Sequence, residues 1–365
     1  MVETTVNSAA QFWWGSGNIG GIETSPPAIE NVAQRIRGAY VTSPAMDTHT
    51  HGCHGFRVSD SPDEMTQLMS AYRSLGVGRV QLSTVTLADT DVRLVLNAAR
   101  SVMATNRALV GIHLEGPFLS PEKKGAHDQH LLRRASRESI EEMLADYLDV
   151  VSSVTLDPLS VDEGVIAWLV AHGVTVAIGH TTATYAQASR AFQEGARILT
   201  HAFNAMLPIA SREPGPVMAA IDEGAYLEVI ADGHHVHPSL VTMLFREAPG
   251  RVILVTDSMP AAGVGDGHFS LGPLEVSVVD GVARTHDGAL AGSTLTLPDG
   301  VRNAHRFGVP AEKAIAAATA TPVEAYGLDA PELKPGGMAE LAVWSEDAEL
   351  THTITQGMVA DITTV

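Results

Sequence analysis

From residue 39 onward, short apolar segments rich in β-branched residues alternate about eight times with stretches of helical periodicity. This alternation is typical of a closed parallel barrel, so we predict an α/β fold of the (β/α)8, TIM-like type. An open, doubly wound sheet is the alternative. The predicted strands are Ala39–Asp47, Val77–Thr86, Ala108–Phe118, Val151–Asp157, Val174–Thr181, Arg197–Ala205, Ala225–Gly233 and Val252–Ser258. The predicted helices between them are Pro62–Leu75, Asp89–Thr105, Arg134–Leu148, Ser160–Ala171, Thr184–Glu194, Pro214–Glu223 and Pro238–Glu247.

After Ser258 the pattern changes, which indicates structure added to the barrel. Two short alternating segments within Phe269–Arg284 flank Asp280-Gly281, and this arrangement predicts a hairpin. Helices are predicted at Thr296–Phe307 and Ala311–Tyr326, and Pro335-Gly336-Gly337 is typical of a linker.

Both chain ends are predicted to form short strands. The first 41 residues are broken by Gly-rich and Pro-Pro stretches, and two further strands are predicted at Ala339–Trp344 and Thr351–Thr355. We therefore expect a small β-sandwich built from both termini. The predicted domains are residues 1–44, the N-terminal part of this sandwich, residues 45–334, the barrel, and residues 335–365, its C-terminal part.

The charge and cysteine content exclude several classes of protein. A net charge of −19 with only four lysines argues against a nucleic-acid-binding surface. Cys53 is the only cysteine, either a thiol near the site or a packed small residue, and it indicates a reducing compartment. No apolar run reaches the ~18 residues of a membrane span, and residues 1–30 lack the features of a signal peptide. We predict a cytoplasmic protein with neither a membrane nor a nucleic acid as partner.

Five of the eight predicted strands end in residues that can bind a metal ion or transfer a proton. These residues are His49 and His51 after the first strand, Glu115 after the third, His180 after the fifth, His201 after the sixth and Asp257 after the eighth. A single histidine at such a place is more often a hydrogen-bonded interior residue. The carboxyl ends of barrel strands meet at one rim, however, and this chain has sixteen histidines. Together these features predict a metal centre at that rim.

The predicted ligands define the chemistry of the centre. A divalent ion held by imidazole and carboxylate groups, with one position open to water, lowers the pKa of that water and polarises a carbonyl. Asp257 would then carry the proton. None of the four lysines lies at a strand end, so Glu115 takes the place that a carbamylated lysine has in some barrel hydrolases. The ligands suit zinc, iron, manganese or cobalt, with one or two ions per subunit.

A second group of residues indicates an anionic substrate. Asn204-Ala205 closely follows the sixth strand, and Arg212 lies where the next helix begins, so backbone amides and a guanidinium can meet an anion there. The seventh strand is followed by three more candidates, His234, His235 and His237, of which at most one or two need to touch the ligand. We expect His237, which precedes Pro238, to be a turn residue instead.

Several motifs resemble those of one enzyme family. HLEGPF with KGAH, GHTTATY, THAFNAM with SREPG, IADGHHV, LVTDSM and AGSTLTLPDGVRN occur in this order from about Ala39 to the C-terminus. They resemble the N-acetylglucosamine-6-phosphate deacetylases of the amidohydrolase superfamily. The resemblance implies a (β/α)8 barrel with a small β-sandwich from both termini, and a homodimer.

The resemblance also implies roles for single residues. By motif, Glu115, His180 and His201 would bind the main metal ion, and Asp257 would be the general base and acid. Because His49 and His51 keep a pair that some members lack, a second ion has a place. The implied substrate contacts are His127 and His235 to the sugar or acetyl group, and Asn204, the Ala205 amide and Arg212 to the phosphate, with Arg212 acting in its own or in the partner subunit. Ala126 and the loop Ala291, Gly292 and Ser293 would also lie against the substrate. His127 would also stabilise the oxyanion.

The implied reaction is the metal-dependent deacetylation of N-acetyl-D-glucosamine 6-phosphate to D-glucosamine 6-phosphate and acetate, in amino-sugar catabolism or recycling. The same reaction on N-acetylgalactosamine 6-phosphate is the first alternative, because no residue visibly reads the configuration at C4. A cyclic-amide hydrolase or deaminase acting on an unphosphorylated substrate is the second. A catalytically silent scaffold or metal-binding protein is the third.

Overall fold

A computed structural model describes residues 11–15, 17–23, 36–329, 333–355 and 358–362 of the 365-residue chain. Much of the predicted N-terminal part of the sandwich, at 1–10, 16 and 24–35, lies outside these residues. The strands are β1 (Gln11–Gly15), β2 (Asn18–Glu23), β3 (Tyr40–Thr42), β4 (Ala45–Thr50), β5 (Gly52–Cys53), β6 (Phe56–Arg57), β7 (Val77–Thr84), β8 (Leu109–Glu115), β9 (Val151–Leu156), β10 (Thr175–Ile178), β11 (Ile198–Leu199), β12 (Tyr226–Ile230), β13 (Val252–Val255), β14 (Gly267–Leu271), β15 (Leu274–Val279), β16 (Val282–Thr285), β17 (Leu341–Trp344), β18 (Leu350–Thr355) and β19 (Met358–Asp361).

The first eight helices lie within the stretches predicted for them, and the third and fourth are several residues shorter than predicted. They are α1 (Pro62–Ser74), α2 (Asp89–Met103), α3 (Arg137–Leu144), α4 (Val165–Ala171), α5 (Tyr185–Gln193), α6 (Gly215–Asp222), α7 (Pro238–Glu247), α8 (Leu297–Arg306), α9 (Ala311–Ala316) and α10 (Ala320–Ala325), with short 3-10 helices at Pro121–Lys123 and Ala145–Tyr147. Side-chain caps explain several starts, since Ser61 accepts from the amide of Glu64 and Thr184 from that of Gln187. No helix in the described ranges is long and apolar enough to cross a membrane.

Eight parallel strands form the central sheet, in the order β13-β12-β11-β10-β9-β8-β7-β4. At the carboxyl end the first and last strands meet, because Thr50 bridges Ser258 and the amide of Asp257 donates to the carbonyl of His49 at 2.8 Å. Helices α1 to α7 lie between consecutive strands, and strands buried on both faces are apolar, such as β13 with four buried residues. The predicted (β/α)8 barrel is confirmed, and the open sheet is wrong.

The first predicted strand, Ala39–Asp47, is divided between two sheets. Residues of β3 pair with β17 in a four-stranded antiparallel sheet of order β19-β18-β17-β3, whereas β4 enters the barrel. Pro44 lies between them, and a proline has no amide to continue a ladder. The β1-β2 hairpin joins the same region, where Ile19 packs with Ala339 and Leu341. The small antiparallel module from both chain ends is therefore confirmed, while its boundaries at 44/45 and 334/335 stay a prediction.

The single helix predicted at Ala311–Tyr326 is wrong, because two short helices, α9 and α10, take its place. Pro322 explains the interruption, since a proline inside a helix clashes with the carbonyl four residues earlier. That carbonyl, on Ala318, instead accepts from the amide of Met46 in β4 at 2.8 Å, and the carbonyl of Ala317 accepts from Leu254 in β13 at 2.9 Å. The break thus ties the last helices to the first and last barrel strands.

A three-stranded antiparallel sheet, β14-β15-β16, follows the barrel's last strand. Its second hairpin turns at Asp280-Gly281, as predicted, with Val279 paired to Val282. The first hairpin, between Leu271 and Leu274, adds a strand that the sequence pattern did not indicate. This sheet lies at the carboxyl end of the barrel, where Leu271 reaches the cavity described below.

Candidate active site

The predicted ligands lie where the barrel strands end. Glu115 is the last residue of β8, and His180, His201 and Asp257 each follow a strand by two residues. These last three have positive φ angles of 46°, 29° and 48°. Side-chain-bearing residues rarely adopt this backbone, which costs about 1–3 kcal/mol and is most often kept at functional sites. The sharp turn also explains why β10 and β11 end before the predicted Thr181 and Ala205.

Glu115 is the centre of the site. Its Oε1 lies 3.1 Å from Nε2 of His180 and 3.1 Å from Nε2 of His201, and the two nitrogens are 3.1 Å apart. Ligand atoms around a tetrahedral zinc ion, with bonds of about 2.0–2.1 Å, are separated by roughly 3.3 Å. The three groups therefore have the spacing of a metal site. All three side chains are buried.

A second group faces the same carboxylate. Nε2 of His51 lies 3.3 Å from Oε2 of Glu115 and 3.1 Å from Oδ1 of Asp257. Nε2 of His49 lies 3.4 Å from Oε1 of Glu115 and 3.6 Å from Oδ1 of Asp257. His49, His51 and Asp257 offer ligand atoms within 4.8 Å of one another. Glu115 thus stands between two sets of ligands.

In each histidine, the ring nitrogen that faces away from Glu115 indicates the tautomer, and the tautomer decides whether the nitrogen facing Glu115 can bind a metal ion. Nδ1 of His51 lies 3.0 Å from the carbonyl of Ser83, and Nδ1 of His180 lies 2.7 Å from the carbonyl of Lys123. A carbonyl can only accept, so both Nδ1 atoms carry a proton, and Nε2 is the nitrogen that holds the lone pair when the ring is neutral. Although burial lowers it, the Asp257 and Glu115 carboxylates raise the pKa of His51 to about 9, so a bound ion would displace a proton from Nε2 of that ring. Nε2 of His49 is buried without a hydrogen bond. These residues therefore fit a divalent ion.

His127 has the opposite arrangement. Its Nδ1 accepts from the backbone amide of Thr86 at 3.1 Å, so its proton is on Nε2, which lies 3.4 Å from Oε2 of Glu115. Burial lowers the pKa of His127 to about 4, and the ring is neutral at pH 7. Although His127 groups with Glu115 and His180 by distance, its tautomer makes it a hydrogen-bond donor rather than a ligand.

The two carboxylates are held in the charged form. Burial opposes ionisation of Asp257, but the rings of His49 and His51 outweigh it and lower its pKa to about 2. Burial is likewise outweighed at Glu115, whose pKa lies well below its ordinary value because of the surrounding histidines. At neutral pH Asp257 is ready to accept a proton, and Glu115 is ready to bind a cation.

A cavity of about 350 Å³ opens above these residues. Its walls include the predicted substrate residues Ala126, His127, Asn204, Ala205, His235 and Gly292. Nδ1 of His235 donates to Asp232 at 2.6 Å, which leaves its Nε2 for a ligand. Burial lowers the pKa of His235, but the Asp232 carboxylate outweighs it, and the pKa is raised.

Three of the residues predicted to contact the substrate do not line this cavity within one chain. Arg212 is exposed in the loop before α6 and does not line the cavity. Ala291 is buried in an apolar cluster with Met259, and the Ser293 hydroxyl donates to the carbonyl of Thr256 at 2.6 Å. Of the predicted closing loop, Gly292 alone among 291–293 forms part of the wall.

The structure adds residues that the strand-end pattern did not indicate. Lys123 is the one lysine or arginine among the described residues that line the cavity, and Leu271 and Leu290 reach it from the β14–β16 region. Glu228 lies inside the barrel beside His49, and its only signal in the sequence is an acid within the apolar strand YLEVI. Thr86 holds the ring of His127.

Two further histidine and cysteine predictions are resolved. His237 accepts from the amide of Ser239 and caps α7, which confirms it as a turn residue. Cys53 is fully buried, and burial raises the pKa of its thiol to about 12. It is a packed small residue.

Gly125 illustrates the fit of the loop that carries His127. A Cβ at this position would lie 2.9 Å from Cε1 of His180, and the residue has a φ of +54°. Only glycine avoids both the contact and the strain. The KGAH loop can therefore lie directly against the ring of His180.

Comparisons with known proteins agree with this geometry. Residues 41–360 match the amidohydrolase family. The chain is 35% identical to N-acetylglucosamine-6-phosphate deacetylase of Vibrio furnissii over 86% of this chain and 80% of that protein. It is 36% identical to N-acetylgalactosamine-6-phosphate deacetylase of Escherichia coli O157:H7 over 94% of this chain and 93% of that protein.

Solved structures show the same likeness. A variant of the Mycobacterium smegmatis N-acetyl-D-glucosamine-6-phosphate deacetylase, in complex with N-acetyl-D-glucosamine-6-phosphate, superposes with a TM-score of 0.86 at 36% identity, covering 95% of this chain and 93% of that one. The Thermotoga maritima enzyme of the same name gives a TM-score of 0.83 at 29% identity, covering 95% and 94%. The chain therefore belongs to the amidohydrolase family of hydrolases, in the branch that holds the N-acetylglucosamine-6-phosphate and N-acetylgalactosamine-6-phosphate deacetylases.

Proposed function

We propose that this enzyme hydrolyses N-acetyl-D-glucosamine 6-phosphate to D-glucosamine 6-phosphate and acetate. The observation that carries the proposal is the convergence of Glu115, His180 and His201. Asp257 lies close by, with its Oδ1 3.1 Å from Nε2 of His51, a ring that also contacts Glu115. A scaffold has no need of charged, buried groups at this spacing, and their burial costs free energy unless they are paired.

The amidohydrolase superfamily is metal-dependent, and the residues supply two places for a divalent ion. Glu115, His180 and His201 would hold the first, and His49, His51 and Asp257 the second. A bound ion here would polarise the acetamide carbonyl and lower the pKa of water. Zinc, iron, manganese and cobalt all suit these ligands, and we propose one or two ions per subunit.

The protein's own groups then complete the reaction. Asp257 is ionised and takes the proton of the attacking water, and it returns that proton to the nitrogen as the C–N bond breaks. This second transfer matters because an unprotonated amine anion is a very poor leaving group. His127 carries its proton on Nε2 and lines the cavity, so it can donate to the carbonyl oxygen as negative charge develops on it.

The sugar phosphate is proposed to lie along the cavity walls. Asn204 and the amide of Ala205 would hold the phosphate, and Lys123 adds a positive charge in a protein of net charge −19. His235 would contact the sugar. Because Arg212 is exposed and away from the cavity, we propose that it reaches the phosphate of a partner subunit in a homodimer.

His127→Ala is expected to lower kcat by about 10²- to 10³-fold, the usual cost of removing one oxyanion donor. Steady-state acetate release measures this change. Bound metal should stay at the wild-type level, because the ring's lone pair is already used by Thr86. Thr86→Val is the matched control, since the backbone amide still fixes the ring and the loss should be much smaller. Loss of metal in His127→Ala would instead make His127 a ligand.

Substrate assays test the proposed function directly. We expect acetate release from N-acetyl-D-glucosamine 6-phosphate and a strong loss of kcat/KM when the phosphate is absent. N-acetylgalactosamine 6-phosphate is the second candidate, supported by the 36% identity to the Escherichia coli deacetylase for that sugar. The ratio of kcat/KM for the two phosphates decides between them. Equal activity on unphosphorylated acetamido sugars would overturn the proposed substrate class.

We also propose a cytoplasmic location and the domain limits 1–44, 45–334 and 335–365. A single, buried cysteine is compatible with a reducing compartment. The change from the β3 ladder to the barrel between Thr42 and Ala45 supports the first limit.

A further inference from the structure

A buried carboxylate inside the barrel has no part in the proposed reaction. Glu228 lies in β12 with apolar neighbours in sequence, and it is only 2% exposed. An ionised carboxylate is costly to bury unless it is hydrogen-bonded and paired. The barrel therefore needs a reason to keep an acid here.

The contacts of Glu228 point to His49. Oε2 of Glu228 lies 3.2 Å from Nδ1 of His49. Its other oxygen, Oε1, accepts from the hydroxyl of Thr48 at 3.2 Å and from the hydroxyl of Tyr326 at 3.4 Å. Burial raises the pKa of Tyr326 well above its ordinary value, so that hydroxyl keeps its proton and donates.

This arrangement fixes the tautomer and the direction of the His49 ring. With Nδ1–H donating to a carboxylate, Nε2 is the nitrogen that offers a lone pair when the His49 ring is neutral, and it faces Glu115 and Asp257 at 3.4 and 3.6 Å. That nitrogen is buried and makes no hydrogen bond. The ring of His113 packs edge-on against the other side at 4.7 Å between centroids. The lone pair on Nε2 of His49 is therefore directed at the space between Glu115 and Asp257, where it can bind a cation.

We propose that Glu228 is the positioning residue of the second metal site, the one formed by His49, His51 and Asp257. A carboxylate behind a ligating histidine orients the ring and raises its basicity, and its loss typically weakens metal binding about 10- to 100-fold. The inference deepens the proposed function, on which it rests, by giving this chain two ions with separable affinities. The first site should not depend on Glu228, because Nδ1 of His180 lies 2.7 Å from the Lys123 carbonyl and Nδ1 of His201 is buried with no hydrogen-bond partner among the described residues.

The test is metal binding, measured without substrate. Chelator-treated wild-type protein is titrated with Co²⁺ and followed by absorbance, and bound metal per chain is then counted by elemental analysis. We expect two ions in the wild type. In Glu228→Gln the first ion should bind as before, and the Kd of the second should rise about 10- to 100-fold. Tyr326→Phe removes a different hydrogen bond to Glu228 and should leave both affinities close to the wild type.

A double-mutant cycle separates positioning from a merely structural role. In a His49→Ala background, Glu228→Gln should change the metal affinity no further, because the group that it acts through is gone. If Glu228→Gln does not fold, Glu228→Asp keeps the charge but withdraws it from His49, and we expect a smaller weakening confined to the second ion.

Three results would overturn the inference. They are wild-type binding of both ions in Glu228→Gln, equal weakening of both ions, and a further loss in the His49→Ala background. Failure of the proposed function would give a different result. The protein would release no acetate, although its titration with two ions would still behave as expected.

Discussion

Asp257→Asn is expected to lower kcat by about 10⁴-fold, at the upper end of what general acid–base catalysis contributes. The residue is proposed to act twice, first on the attacking water and then on the leaving nitrogen. Asparagine has nearly the same shape but can neither accept the first proton nor return it. Binding of the substrate should be nearly unchanged, because the contacts to sugar and phosphate come from other residues.

The geometry makes this substitution informative. Asp257 is held by the bond from its amide to the carbonyl of His49 at 2.8 Å, and its φ of 48° suits asparagine better than most residues. The backbone should therefore stay in place. Single-turnover acetate release measures the chemical step, calorimetry with the phosphorylated sugar measures binding, and elemental analysis checks that metal is retained.

Asp63→Asn, an exposed aspartate in the first turn of α1, is the control and should behave as the wild type. A near-normal rate for Asp257→Asn would contradict its role as proton carrier. A low rate that is fully explained by loss of the second ion, for which Asp257 is a proposed ligand, would mean that Asp257 acts chiefly as a ligand.

The convergence of the strand-end side chains could be predicted from sequence because barrel topology brings the carboxyl ends of all strands to one rim. Knowing that His180 and His201 follow strands is enough to expect them together, whatever their separation in the chain. The roles of the ring nitrogens could not be predicted in this way. They depend on a carbonyl behind His180 and an amide behind His127, and these backbone groups lie on other loops.

Glu228 and Lys123 show the limit of the pattern more clearly. An acid inside a strand points into the barrel or out of it depending on register, and its partner His49 lies 179 residues away in the chain. Lys123 sits in a segment held against His180, whose carbonyl accepts from the amide of Ser120 and whose Nδ1 donates to the carbonyl of Lys123. Arg212 is a different case, because the contact that we propose for it across a dimer cannot be read from one chain's fold.

Glu115→Gln is expected to remove bound metal from both proposed sites and to lower kcat by about 10³-fold or more, since a metal ion supplies several kcal/mol to such a reaction. Oε1 and Oε2 of Glu115 together lie within 3.4 Å of five histidine rings. Glutamine keeps the shape but removes the negative charge that both sites share. Its amide group would also place N–H donors against Nε2 atoms that must keep a lone pair.

The loss should be visible without an activity assay. A bound ion stabilises the folded state by mass action, so adding zinc should raise the Tm of chelator-treated wild-type protein and leave that of Glu115→Gln unchanged. Glu138→Gln, at an exposed position in the first turn of α3, is the control and should keep the zinc-dependent rise. If Glu115→Gln retained both ions, the carboxylate would not be their common ligand. If it lost one ion only, the ion that remained would identify the set of histidines that binds metal without Glu115. Either set could do so, because different groups hold the rings: Glu228 and Ser83 hold His49 and His51, and Lys123 holds His180.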